Sequence, residues 1–88
     1  MTDNLVSLDA VYRVKIDRAE REMMVIEARE RALWAKFDAV IALRGSNAED
    51  AHFGNFFEEM AVIEGREVEI RGRIESYQRC LEMVRSHQ

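Results

Sequence analysis

Large apolar side chains recur along the first half of the chain in alternating steps of four and three: Tyr12, Ile16, Ala19, Met23 and Ile26, then Glu30, then Leu33, Phe37 and Val40. That alternation is the period of one continuous helix with a seam along it. The pattern resumes after Gly45 with Phe53, Phe56, Met60 and Ile63, breaks at Glu67, and continues through Ile70, Ile74, Tyr77, Leu81 and Val84. Two long helices are therefore expected, over about residues 8–44 and 49–85. Asp17 before Arg21 and Glu27 before Arg31 add ion pairs at helical spacing on the first.

Between the two lies "RGSNAED". Gly45 suits the left-handed residue after a helix end, Ser46 with Glu49 has the form of a capping box, and Asn47 with Asp50 offers the same box one residue later. A turn over about residues 45–48 follows. A phosphate cradle needs several glycines after a strand and a lysine at its end, and this stretch has neither. Asp50, His52 and Asn55 gather near the tip, while Ser7 or Asn4 supplies the cap of the first helix.

Folding back about Asn47 and Ala48 sets Val40 opposite Phe57, Phe37 opposite Met60, Ile26 opposite Ile70, Met23 opposite Ile74 and Ile16 opposite Leu81. The result is one domain across residues 1–88, an all-α antiparallel two-helix hairpin. Such a hairpin buries only one side of each helix. A weaker apolar stripe remains, with Val11, Val14, Val25, Ala28, Ala32 and Ala39 on the first helix and Gly54, Ala61, Val62, Gly65, Val68 and Gly72 on the second. Glycine inside a helix costs up to about 1 kcal/mol relative to alanine, and close approach of another helix would account for Gly65 and Gly72. Pairing of hairpins into a dimeric four-helix bundle is the expected assembly, by a closed two-fold homodimer or with an unidentified helical protein partner on the same surfaces. The expected interface residues are Trp34, Phe37, Phe53, Phe56, Phe57 and Met60, whose large side chains bury much area, together with Gly65 and Gly72.

Composition agrees with long helices: there is no proline to interrupt them, and only 4 glycines. A monomer of 88 residues buries only about 60 to 65% of its extended surface, so a partner subunit would strengthen its fold. The net charge of -4 arises entirely after Gly45, which disfavours nonspecific nucleic-acid binding. Arg13, Lys15, Arg18, Arg21, Arg29 and Lys36 alternate along the chain with Asp17, Glu20, Glu22 and Glu27. Cys80 is alone, the amino-terminal residues lack a signal-peptide pattern, and no apolar run approaches the roughly 20 residues of a bilayer span. A cytoplasmic protein without a membrane span is expected.

The fold-back register also sets Glu30 against Glu67, the one acidic break in each stripe. Two ionised carboxylates at one level repel and lose hydration, so one keeps a proton, the pair meets a cation, or the layer is wet. Trp34, Arg66 and Arg71 are candidate helpers, and a polar layer of this kind can specify register. A four-helix carboxylate metal site would draw Glu-x-x-His pairs from facing helices, but the one such pair here, Glu49 and His52, falls at the turn. Glu30, Glu64 and Glu67 from two chains would make an all-carboxylate cluster instead. No metal and no cofactor is assigned.

Cys80 has only the distant His87 at a helical spacing, and no constellation suggests catalysis. The reading is a non-enzymatic helical interaction or structural module that self-associates and binds another protein. A carboxylate metal-binding bundle and a small RNA-binding bundle are the readings from other classes. Paired hairpins of this size are also similar to small secretion-system proteins, which implies a secretion chaperone or a secreted heterodimer partner. Their Trp-x-Gly turn is absent, because Ala35 and Lys36 follow Trp34, and no family is assigned.

Overall fold

The structure, a computed structural model, describes the backbone of residues 2–44 and 51–87 and the side chains of residues 7–43 and 54–87. Helix α1 runs Thr2–Arg44 and helix α2 runs Ala51–Ser86. Gly45 and the two alternative capping boxes lie outside the described residues, as does Asp50, while the side chains of His52 and Phe53 lie outside the described side chains. Neither proline nor glycine stands between Thr2 and Ser7, so nothing in the sequence stops α1 from extending to Thr2, and Asn4 and Ser7 fall inside the helix rather than ahead of it. At the other end, the His87 amide donates to the Val84 carbonyl at 3.2 Å and the Ser86 hydroxyl to the Met83 carbonyl at 2.9 Å. Arg85 complements the negative end of the α2 dipole.

The two helices pack side by side and antiparallel into a rod of 64 × 15 × 14 Å. A helix of 43 residues at ~1.5 Å per residue accounts for the long dimension. The core at mid-length is Ala19, Ile26 and Ile70, with Met23, Ile63 and Ile74 packed against it. Ile70 is 0% exposed, and burial of such a side chain contributes about 1.5 to 3 kcal/mol. Phe56 and Met60 continue the buried seam towards the chain reversal, and Leu81 and Val84 continue it towards the open end.

The seam follows the repeating apolar positions, with one local departure. Phe37 stacks on Phe56 with ring centroids 4.1 Å apart, one turn nearer the reversal than Met60. Phe56 and Phe57 are adjacent and so point ~100° apart, and only one of them can enter the seam. Phe56 occupies it in line with Met60 and Ile63 and shares a groove with Val40, while Phe57 turns to the flank.

Candidate interaction surface

Near the reversal four rings among the described side chains form one contiguous cluster. Trp34 meets Phe37 edge-on at 5.8 Å and Phe56 at 5.0 Å, and Phe57 meets Phe56 edge-on at 5.3 Å and Phe37 at 6.3 Å. Such geometries add attraction beyond area burial. Phe56 is 6% exposed, whereas Trp34 and Phe57 are 44% and 61% exposed. The inner rings thus hold the outer ones in place, and the outer ones face solvent. Beside the cluster a groove runs between the helices, floored by Leu33, Phe37, Val40 and Phe56 and rimmed by Lys36, Asn55 and Glu59.

Glu30 and Glu67 approach one another across the two helices. A hydrogen bond with the Glu30 carboxyl, then burial, lifts the Glu67 carboxyl above the ordinary range, and Arg71 offsets part of the rise. As two carboxylates the pair makes no hydrogen bond, and Oε1 of Glu67 is buried without a partner among the described residues. The contact holds when one carboxyl keeps its proton and donates it to the other. Of the expected helpers, Arg71 acts on Glu67, Trp34 joins the ring cluster, and Arg66 turns to Glu22 and Glu69. Among the described residues no three His, Cys, Asp or Glu side chains gather as a metal site would require.

One broad face of the rod is tied across the helices by arginines. Arg66 bridges Glu22 and, at 3.0 Å, Glu69, while Arg73 reaches Glu69 at 3.2 Å and Glu22 at 3.7 Å. Glu69 and then Glu22 hold the Arg66 guanidinium above its usual value, and Arg66 and then Arg73 hold the Glu69 carboxyl below its own. At the open end Arg85 donates to Asp9 at 3.0 Å. These cross-helix pairs are not legible in the periodicity, because they are made by long side chains beside the seam whose choice of partner the fold-back register leaves open. Along α1, Asp17 and Arg21 pair at 2.8 Å, whereas Glu27 and Arg31 make no ion pair among the described residues.

Tyr12 and Tyr77 meet at the open end with ring centroids 6.3 Å apart, and Lys15 lies 5.5 Å over the Tyr77 ring. The Cys80 thiol beside the Tyr12 hydroxyl, ahead of burial and Tyr77, pushes the Tyr12 phenol up. Cys80 itself is half-buried and free.

Among the described residues the outer faces are left bare. Val11, Val14, Val25, Val62 and Val68 are exposed, and a methyl group built on Gly54, Gly65 or Gly72 meets no atom within 4 Å. Packing inside the hairpin therefore gives no reason for these glycines. Among the expected interface residues, Trp34, Phe37, Phe56 and Phe57 come together with Met60 next in the seam, while Gly65 and Gly72 lie on the far side of α2.

These features define the class: a small all-α module built as an antiparallel helical hairpin, with no described helix long and apolar enough to cross a membrane. Comparison with protein-family models, curated proteins and solved structures returns no match for this chain.

Proposed function

We propose that the chain is a non-enzymatic helical interaction module that self-associates as a homodimer of four helices and presents its ring cluster to another protein. The carrying observation is surplus surface. The hairpin exposes 6724 Å², whereas a compact monomer of 10.3 kDa exposes ~5,400 Å². The excess of ~1,300 Å² is more than the ~800 Å² that a stable interface takes from each partner. Much of it carries apolar side chains that water does not favour, including Trp34, Phe57 and the outer valines. Exposed rings resting on buried ones make anchors that lose little entropy on binding.

The test is the absolute mass of the untagged protein in solution across a range of concentrations, by light scattering behind a sizing column, with metal measured on the same peak. A metal-free species near twice 10.3 kDa is expected. A monomer at every concentration overturns the self-association, and stoichiometric metal moves the Glu30–Glu67 layer from architecture to chemistry.

A further inference from the structure

The side of α1 turned away from α2 carries a second repeat, in steps of three and four throughout, and all ten of its positions are exposed. Its halves differ in size. Towards the open end stand Val11, Val14, Arg18, Arg21 and Val25, and towards the reversal Ala28, Ala32, Ala35, Ala39 and Ala42. We propose that this face of α1 is covered by the same face of α1 from a second copy, antiparallel, about a two-fold axis passing between Val25 and Ala28. This rests on the self-association proposed above and specifies its surface, direction and register.

Antiparallel pairing about that axis sets every large residue against an alanine of the other copy. Val25 meets Ala28, Arg21 meets Ala32, Arg18 meets Ala35, Val14 meets Ala39 and Val11 meets Ala42. Each arginine lays its aliphatic stem over an alanine and keeps its guanidinium in water. The alternatives bring like charges together. A parallel pair of the same faces would set Arg18 against Arg18 and Arg21 against Arg21. The outer face of α2, paired on itself about the corresponding axis between Gly65 and Val68, would set Glu58 against Glu75 twice. An α1 contact spanning residues 11–42 runs ~48 Å, long enough to draw on the surplus surface already described. The four helices would then lie in a row, α2–α1–α1–α2, rather than in a square, which leaves the Trp34 and Phe57 rings accessible.

Disulfide trapping tests the register in a Cys80→Ser background. Val14 and Ala39 of one chain are ~37 Å apart along the helix, so they cannot join each other, whereas across the proposed axis they are neighbours. The Val14→Cys/Ala39→Cys variant should form a covalent dimer on oxidation, and neither single variant should. Independently, Ala32→Arg/Ala35→Arg places arginine against arginine at four levels, two on each side of the axis, and should halve the mass in solution with the helical circular-dichroism signal unchanged. Crosslinking by either single variant, no crosslink by the double variant, or a dimer that survives the arginine pair overturns this arrangement while self-association stands. A monomeric wild-type protein overturns both.

Discussion

Ala19 and Ile26 are buried in the seam of α1, whereas Val14 and Val25, on a second stripe of three-and-four steps along the same helix, are 50% and 56% exposed. Periodicity alone does not separate the two stripes. What separates them is the partner that the chain itself provides. The seam holds the bulkier set, Ile16, Met23, Ile26, Leu33 and Phe37, and meets α2 along its length, while the outer stripe is narrower and made largely of valine and alanine. The heavier stripe therefore closes the hairpin. The lighter one gains most where a second helix can approach closely, because small side chains let helix axes lie near the short end of the usual 8 to 10 Å range.

The comparison breaks most sharply with a charge placed in each stripe. Ile70→Asp puts an unpaired carboxylate at a site that is fully enclosed, costs several kcal/mol, and should abolish the helical circular-dichroism signal in a fold this small. Val25→Asp should keep that signal and lower only the mass in solution. Loss of helicity in the second variant, or its retention in the first, would reverse the assignment of the two stripes.

A gentler version uses neighbouring rings. Phe56→Ala removes a buried ring stacked on Phe37 and is expected to cost about 3 to 5 kcal/mol in chemical denaturation. Phe57→Ala removes a ring facing solvent and should cost well under half of that. Equal losses would mean that Phe57 is covered in the assembled protein, and would make it part of the interface rather than a surface left for a partner.

Much of this architecture was legible in the sequence, because two long apolar repeats with a glycine-containing break leave few other folds. The nearness of Glu30 to Glu67 was legible for the same reason, as a fixed register determines which seam residues share a level. Contacts made by long side chains were not. Arg66 had two carboxylates within reach besides Glu67, and nothing in spacing alone chose Glu22 and Glu69. Likewise, the helical period marks residues 56 and 57 as neighbours ~100° apart, but the choice of Phe56 for the seam follows from alignment with Met60 and Ile63.

The polar layer gives a smaller effect with a definite sign. Glu67 is lifted above the ordinary carboxylate value, so its contribution to stability is fully present below that value and is lost as pH rises through the raised one. Glu67→Gln keeps the shape, cannot ionise, and donates a hydrogen bond to Glu30. Its melting temperature should exceed that of the wild type at pH 7 and approach it in mild acid. An advantage of the same size at both pH values would show that the layer does not hold a shared proton.

The smallest effect is expected where the seam meets the surface. Arg66→Ala removes the bridges to Glu22 and Glu69, but all three side chains are between a third and three-fifths exposed, where water screens the attraction and side-chain entropy opposes it. Glu69 is held below the ordinary carboxylate value by Arg66 first, so this contribution is present above that value and fades as pH falls through the lowered one, the reverse of Glu67. The variant should melt at most a few degrees below the wild type at pH 7, and the difference should close in about 1 M salt, where the Debye length shrinks to ~3 Å. A loss that persists in high salt would mean that the aliphatic stem of Arg66 packs over the seam, extending the buried surface beyond the apolar stripe itself.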